Sequence, residues 1–190
     1  SKIHVDTSIK CSDDKTLTSD EIFLRTKKIL EKIKKNKKFK KAFLVIGTEV
    51  PLSGGNDKSK LKLTSENQIF NDVQKFKKIK ANNGLFGLVI EPGMKFMHYQ
   101  ILTPKFKNFK TKRLISKRYN FVYEAHSTDY QPLYSLKKLV KNNFKFLKVG
   151  PELTFYITRS FFLMEEIEKK YFFRKRSNIR KKIFIEMMKN

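Results

Sequence analysis

The chain has 190 residues, and its 43 Lys and Arg against 18 Asp and Glu give a formal net charge of +25. Its single cysteine, Cys11, excludes an internal disulfide framework and is typical of a reducing compartment. The sequence has no Cys/His spacing for a structural zinc site, no apolar run of about 18 residues and no signal-peptide pattern, so it indicates neither a membrane span nor export. We therefore expect a cytoplasmic protein.

The strongly basic balance is typical of proteins that bind nucleic acids or anionic membranes. Here the excess is almost all Lys, and it is spread over every segment of the chain. Nucleic-acid-binding proteins more often use Arg, clustered on one element or interleaved with aromatic residues. The charge therefore favours neither a nucleic acid nor a membrane as partner, and a basic nucleic-acid-binding module stays a remote alternative.

Five short apolar segments predict β-strands, and each ends in a polar or Gly/Pro cluster. They are residues 2–6 (KIHVD), 42–50 (AFLVIGTEV), 84–93 (GLFGLVIEPG), 120–127 (NFVYEAHS) and 144–150 (FKFLKVG). The intervals of about 20 to 40 residues are too long for hairpins and suit crossover helices. Near-continuous hydrophobicity in FLVIG and GLVI indicates strands covered on both faces. The pattern therefore predicts a β/α chain with a parallel sheet.

Helical periodicity appears between most of these strands. Thr18 and Glu21 have capping-box spacing ahead of one apolar series, and Ser65 and Gln68 repeat it ahead of a second. Pro132 suits the first turn of a third helix. The positions expected on the buried helical faces are Ile22, Thr26, Ile29 and Ile33, then Ile69, Val73 and Phe76, then Leu133, Leu136 and Val140.

Polar side chains gather at the carboxyl ends of the predicted strands, which is the end that carries the active site in (β/α) barrels. These residues are Asp6, Thr48, Glu49, Glu91, Glu124, His126 and Lys148. On the first strand, His4 and Asp6 share a face, and we expect only Asp6 to reach the mouth of the barrel.

The stretch YEAHSTDYQP, residues 123–132, brings Glu124, His126, Ser127 and Asp129 close together. Adjacent strand residues point to opposite faces, so Glu124 and His126 share a face while Ser127 turns away or enters the loop. A Ser/His/Asp triad from such close neighbours is geometrically unfavourable, and the sequence has no G-x-S-x-G nucleophile elbow. The shared-face Glu and His can bind a metal ion or a sugar hydroxyl, or can hydrogen-bond each other. Spacing alone leaves these alternatives open.

Several long segments are specific enough to compare with a known family. They are residues 45–55 (VIGTEVPLSGG), 91–98 (EPGMKFMH), 121–131 (FVYEAHSTDYQ) and 144–155 (FKFLKVGPELTF), with weaker similarity in residues 1–14 and 176–190. Together and in this order they resemble the GatZ/KbaZ family, the non-catalytic Z subunit of class II D-tagatose-1,6-bisphosphate aldolase. The resemblance covers essentially the whole chain.

This resemblance implies a TIM (β/α)8 barrel in which the five predicted strands are the fourth to the eighth. Residues 1–190 would form a single domain, the C-terminal part of that barrel, and the chain would be an internal fragment of a longer protein. Five βα units leave two open parallel edges that a closed barrel does not have, so we expect the fragment to fold poorly alone.

The resemblance also implies an accessory function. Family members act with a separate catalytic Y-type subunit, which holds zinc and cleaves tagatose 1,6-bisphosphate in galactitol, tagatose or N-acetylgalactosamine catabolism; no cofactor is implied for the Z subunit itself. Members also carry the label tagatose-6-phosphate kinase, but SGGNDKSK (53–60) is not a G-x-x-x-x-G-K-[ST] phosphate loop. An enzyme that acts on a sugar phosphate in its own right, or a non-functional fragment, remains the alternative.

The expected site at the barrel mouth consists of Asp6, Glu49, Glu124, His126 and Lys148. Of these, His126 and Glu49 are the candidate metal ligands. Lys148 is expected to meet a phosphate or to form a salt bridge with Glu124.

Three further expectations concern residues outside that set. Glu91 departs from the family, in which Gln commonly precedes Pro-Gly, and so adds a charge at the mouth. The role of His98 is open. Phe and Met residues on the helical faces, including Phe161, Phe162 and Met164, are expected to pack in a core.

Overall fold

The computed structural model describes residues 1–39, 41–47, 61, 63–78, 86–172 and 177–189. By its internal contacts the chain divides into two compact units, Ser1–Lys148 and Val149–Asn190. The sequence predicted one domain over residues 1–190, and membership of both units in a single domain stays a prediction.

The first unit contains a five-stranded parallel sheet in the order β1-β2-β3-β6-β7, and a separate antiparallel hairpin of β4 and β5. All five predicted strands are confirmed, each shorter than or equal to its predicted range, whereas the hairpin was not predicted. The strands are β1 (Lys2–Asp6), β2 (Phe43–Gly47), β3 (Phe86–Val89), β4 (Lys95–Phe96), β5 (Ile101–Leu102), β6 (Phe121–Ala125) and β7 (Phe144–Leu147).

In the part of the chain that the structure describes, six α-helices accompany these strands, and the three predicted helices are among them. They are α1 (Ser19–Lys35), α2 (Glu66–Lys78), α3 (Phe109–Arg118), α4 (Leu133–Lys141), α5 (Pro151–Tyr171) and α6 (Ile179–Met187). The capping box of α1 is present, since the Glu21 amide donates to Thr18 Oγ1 at 3.3 Å and the Thr18 amide donates to Glu21 Oε2 at 2.6 Å. Pro132 lies one position earlier than expected, at the N-cap of α4.

One face of the sheet packs against the helices and forms the main hydrophobic core. The strands contribute residues that include Val5, Ile46, Leu88, Tyr123 and Phe144, and the helices contribute residues that include Leu30, Ile69, Val73, Phe109 and Leu139. The predicted helical faces were partly wrong. Ile29, Leu133 and Val140 are exposed, and the adjacent Leu30 and Leu139 are fully buried instead.

The opposite face of the sheet is concave. In a flat sheet β1 and β7 would lie roughly 19 Å apart, because four strand spacings of about 4.8 Å separate them. Here Lys2 Nζ on β1 lies 4.6 Å from the ring centroid of Phe146 on β7, and the Phe43 ring on β2 lies 5.0 Å from that of Phe146. The sheet therefore curves so strongly that side chains of its first and last strands meet.

Gly87 in β3 is required by this curvature. It pairs with Val45 in the sheet register, and a Cβ at position 87 would lie 2.9 Å from Val45 Cγ2 and 3.3 Å from Phe43 Cε1. The first distance is shorter than Cβ atoms tolerate. A side chain at position 87 would therefore push the concave face apart.

The second unit consists of helices α5 and α6. Glu165 is buried within it, where its carboxylate accepts from Lys169 Nζ and from the Arg180 amide, both at 2.8 Å. The expectation that Phe161 and Met164 pack in a core is wrong, since both are exposed. Within the described ranges, no helix combines the length and the apolar character needed to cross a membrane.

Substituting Gly87→Ala tests the tight concave face. We expect the free energy of unfolding to fall by about 1–3 kcal/mol, because the added methyl group overlaps Val45 in a packed interior. Urea denaturation followed by circular dichroism measures the change. In a Val45→Ala background the same substitution should cost less, since the overlapping Cγ2 atom is gone. Equal costs in the two backgrounds would contradict the tight contact.

Candidate functional site

The candidate site is built around the carboxylate of Glu124, near the carboxyl end of β6. This side chain has no solvent-exposed surface, and both of its oxygens are engaged. Lys2 Nζ, from β1, donates to Oε2, and His126 Nε2 lies within hydrogen-bond distance of Oε1, at 3.0 Å. Buried carboxylates need such partners, because an unpaired charge in the interior is very unfavourable.

His126 owes its position to the loop that follows β6. Ser127 adopts a left-handed conformation with φ of 54°, so the chain turns sharply directly after His126. The Lys148 amide donates to the Ala125 carbonyl at 2.9 Å, and the Thr128 amide donates to the Lys148 carbonyl at 3.2 Å. These bonds to the end of β7 fix the loop on both sides of the histidine.

His4 from β1 completes the cluster. Its Nδ1 lies 3.9 Å from Glu124 Oε1, and its ring meets that of His126 edge to face, with centroids 5.4 Å apart. Its Nε2 is buried and has no hydrogen-bond partner among the described residues. One atom each from His4, Glu124 and His126 therefore lies within 4.8 Å of the others, although His4 and His126 are 122 positions apart in the sequence.

The surroundings of this cluster lower the pKa of both His4 and Glu124, which favours the neutral form of the imidazole and the ionised form of the carboxyl group. Burial lowers the pKa of His4, and the nearby Lys2 and Lys148 act in the same direction, while the Glu124 carboxylate opposes them. For Glu124, burial opposes ionisation, but hydrogen bonds from His126 and Lys2 and the charge of Lys2 outweigh it and lower the pKa to about 2. At neutral pH the cluster thus combines a neutral His4 with an ionised carboxylate.

The structure brings together only part of the predicted site. Glu124 and His126 are adjacent, as expected from their spacing. Asp6, the last residue of β1, is exposed, and its Oδ1 accepts from the amide and hydroxyl of Ser8 at 2.9 and 2.6 Å. Glu49 and Thr48 lie outside the described residues.

Of the two alternatives for Lys148, contact with a phosphate stays a prediction, whereas the salt bridge with Glu124 is made by another lysine. Lys148 is exposed, and the lysine that pairs with Glu124 is Lys2. The ammonium group of Lys148 nevertheless lies near enough to His4 to contribute to the lowering of its pKa. The salt bridge of Glu124 is therefore made with Lys2, and it joins β1 to β6, the first and the fourth strand of the sheet.

Sequence reasoning missed Lys2 and His4. The alternation of β1 placed His4 and Asp6 on one face, and Asp6 was preferred because it is nearer the carboxyl end. The curvature of the sheet reverses that choice, because it brings the first half of β1 against β6. His98, the remaining histidine of the chain, lies in the turn of the β4–β5 hairpin and is exposed.

Glu91 follows β3 and is buried as well. Its Oε1 accepts from the amides of Gly93 and Met94 at 2.7 and 3.0 Å. Burial raises its pKa from 4.5 to about 7, although these two hydrogen bonds and the charge of Lys95 oppose the rise. A large fraction of this carboxyl group is therefore protonated at neutral pH. The negative charge that we expected at Glu91, where the family commonly has Gln, is therefore reduced.

The substitution Glu91→Gln should stabilise the protein at high pH. The folded pKa is raised, so the stability tied to the protonated carboxyl is fully present below pH 4.5 and is lost as the pH rises through about 7. The amide cannot ionise and keeps the Oε1 acceptor. We expect a gain in the free energy of unfolding of up to about 3 kcal/mol above pH 7, and little gain below pH 4.5.

Urea denaturation of both proteins between pH 4 and pH 8 measures this gain. Glu31→Gln, on an exposed carboxylate of α1, is a control for the loss of one negative charge. A gain for Glu91→Gln that does not change with pH would contradict a buried, partly protonated Glu91.

Comparison with known proteins places these features in a family. The family described as D-tagatose-1,6-bisphosphate aldolase subunit GatZ/KbaZ-like matches residues 1–190. The chain is 31% identical over 182 residues to the D-tagatose-1,6-bisphosphate aldolase subunit GatZ of Escherichia coli O1:K1 / APEC, covering 89% of this chain and 43% of that protein. It is 32% identical over 181 residues to the GatZ subunit of Salmonella dublin, covering 88% and 43%. The chain thus spans less than half the length of these relatives.

A solved structure has a related fold. The crystal structure of a probable tagatose 6 phosphate kinase from Sinorhizobium meliloti 1021 superposes with a TM-score of 0.72 at 24% identity, covering 93% of this chain and 44% of that chain. At this identity the likeness concerns the α/β fold with its parallel sheet. Because the family matches residues 1–190, the chain belongs to the D-tagatose-1,6-bisphosphate aldolase subunit GatZ/KbaZ-like family.

Proposed function

We propose that this protein is an accessory, non-catalytic subunit that supports a class II D-tagatose-1,6-bisphosphate aldolase in the cytoplasm. The observation that carries the proposal is the family match over residues 1–190, together with curated relatives that are named as subunits of that aldolase. The proposed partner is the catalytic Y-type subunit, and zinc belongs to that partner.

The proposal includes a TIM barrel, of which the described sheet supplies the fourth to the eighth strands. Two features support it. The strands of the sheet are parallel and follow one another in chain order, with helices between them, as in a (β/α) barrel. The concave face is curved enough for Lys2 to reach Phe146 across the sheet, which is the curvature that barrel closure needs.

The state of the polar groups on the concave face favours an accessory role. The Glu124 carboxylate is held by Lys2 and His126, so neither of its oxygens is left for a substrate without breaking a contact. On the helix-covered side of the sheet, Lys112 of α3, a buried lysine that would suit Schiff-base chemistry, donates to the Thr64 carbonyl at 2.6 Å and lies 3.5 Å from Glu66 Oε1. These side chains have structural partners within the described residues.

The second candidate is an enzyme that acts on a sugar phosphate by itself. The imidazole–carboxylate pair of His126 and Glu124 is the observation in its favour, because such a pair can accept and release a proton. This candidate requires turnover without any partner, which separates it from the accessory role.

The experiment compares three preparations of the natural gene products: the catalytic subunit alone, this protein alone, and both co-expressed. Release of triose phosphates from tagatose 1,6-bisphosphate is measured at once and after incubation at 37 °C. We expect no turnover by this protein alone, and higher initial activity or slower inactivation of the catalytic subunit when both are present.

Two results would contradict the proposal in different ways. An aldolase activity and lifetime unchanged by this protein would remove the accessory role. Turnover of tagatose 1,6-bisphosphate, or ATP-dependent phosphorylation of tagatose 6-phosphate, by this protein alone would establish the second candidate. A matched mixture with bovine serum albumin in place of this protein corrects for unspecific stabilisation.

A further inference from the structure

We propose that His4, Glu124 and His126 form a binding site for a divalent transition metal ion of the zinc type. His4 comes from β1, Glu124 from β6 and His126 from the position directly after β6; β1 and β6 are not neighbours in the sheet, and one potential ligand atom from each residue lies within 4.8 Å of the others. This site belongs to the chain itself, and it does not depend on the proposed accessory function.

The distances suit a tetrahedral ion after small movements. Ligand atoms that each lie about 2.0–2.1 Å from a tetrahedral zinc ion are roughly 3.3 Å from one another. His126 Nε2 and Glu124 Oε1 are 3.0 Å apart, and His4 Nδ1 and Glu124 Oε1 are 3.9 Å apart. His4 Nδ1 and Glu124 Oε1 must therefore approach each other by about 0.6 Å, and the three ligand atoms, now within 4.8 Å of one another, reach the required spacing by side-chain rotation.

The surroundings of His4 suit a metal as well. The buried His4 Nε2 has no partner among the described residues, so one nitrogen of this ring is not committed to another contact. His4 is also the most exposed of the three side chains, which gives the ion a path to the site.

Two imidazoles and one carboxylate form a donor set that binds zinc with a fourth position left for water or a ligand oxygen. Lys2 is the competitor for the carboxylate, because its ammonium group already contacts Glu124 Oε2. Its charge also disfavours a cation nearby. Removing that charge should therefore strengthen metal binding, whereas a cluster with only a packing role would gain nothing from its removal.

The chain offers a second group of potential ligands, Cys11, Asp13 and Asp14, which must be distinguished from the first. Cys11 and Asp13 are exposed, and the Asp14 carboxylate is already paired with Arg25, whose Nη1 lies 2.9 Å from Oδ2. The charge of Asp14 is thus largely neutralised. The His4 cluster is better buried and contributes two imidazoles, so it is the site we assign.

The test is a titration of the chelator-treated natural gene product with Zn²⁺ by isothermal calorimetry, and with Co²⁺ by visible absorption. We expect one equivalent to bind, with visible bands typical of tetrahedral Co²⁺. His4→Ala and His126→Ala should each weaken binding at least about tenfold, Lys2→Met should strengthen it, and His98→Ala and Cys11→Ser should leave it unchanged. Far-ultraviolet circular dichroism checks that each variant is folded.

Several results would overturn the proposal. They are the absence of Zn²⁺ binding by the wild-type protein, equal binding by the His4→Ala and His98→Ala variants, and loss of binding in Cys11→Ser alone. His126 is buried, and its substitution can disturb folding. The test of the proposal therefore rests on the His4→Ala and Lys2→Met variants. Binding that is unchanged or weakened in a folded Lys2→Met variant would contradict the assigned competition for Glu124.

Discussion

The buried carboxylate of Glu124 is the contact on which the concave side of the sheet depends. It lies on the fourth strand of the sheet and binds Lys2 from the first, so one ion pair spans the two strands between them. An ionised group without exposed surface is stable only with such partners, and the low pKa of Glu124 reflects their strength. The same curvature leaves no room for a side chain at Gly87. The packing of this face and the position of the polar cluster therefore have one geometric cause.

Much of this fold follows from local sequence patterns. Apolar segments bounded by polar or Gly/Pro clusters predicted all five strands of the sheet, and Thr18 with Glu21 marked the start of α1 because capping satisfies free amide groups locally. The hairpin of β4 and β5 was missed, since its strands have two residues each and show no periodicity. Periodicity identified α4 but not its buried face. Val140 was expected to be buried, whereas it is exposed and the adjacent Leu139 is buried, because tertiary packing decides which face of the helix meets the core.

The site was predictable only where its residues are close in sequence. Glu124 lies on β6 and His126 follows that strand directly, and the alternation of extended backbone predicts that the two share a face. The approach of Lys2 and His4 depends on the curvature of the whole sheet, which no local pattern specifies. Glu91 illustrates a second limit. Its identity indicated an added charge, but the pKa of a carboxyl group depends on burial, and burial at this position raises it to about 7. The family resemblance identified a candidate function, whereas it did not identify which side chains meet.

The central structural claim is that Lys2 and Glu124 contact each other across the concave face. A double-mutant cycle with Lys2→Met, Glu124→Gln and the combined variant measures their coupling directly, from the free energies of unfolding at pH 7. If the contact exists, the two substitutions are not additive, and the coupling energy is at least about 1 kcal/mol in the stabilising direction. Additivity within about 0.3 kcal/mol would mean that the two side chains do not interact, and the curved sheet that brings β1 to β6 would be contradicted.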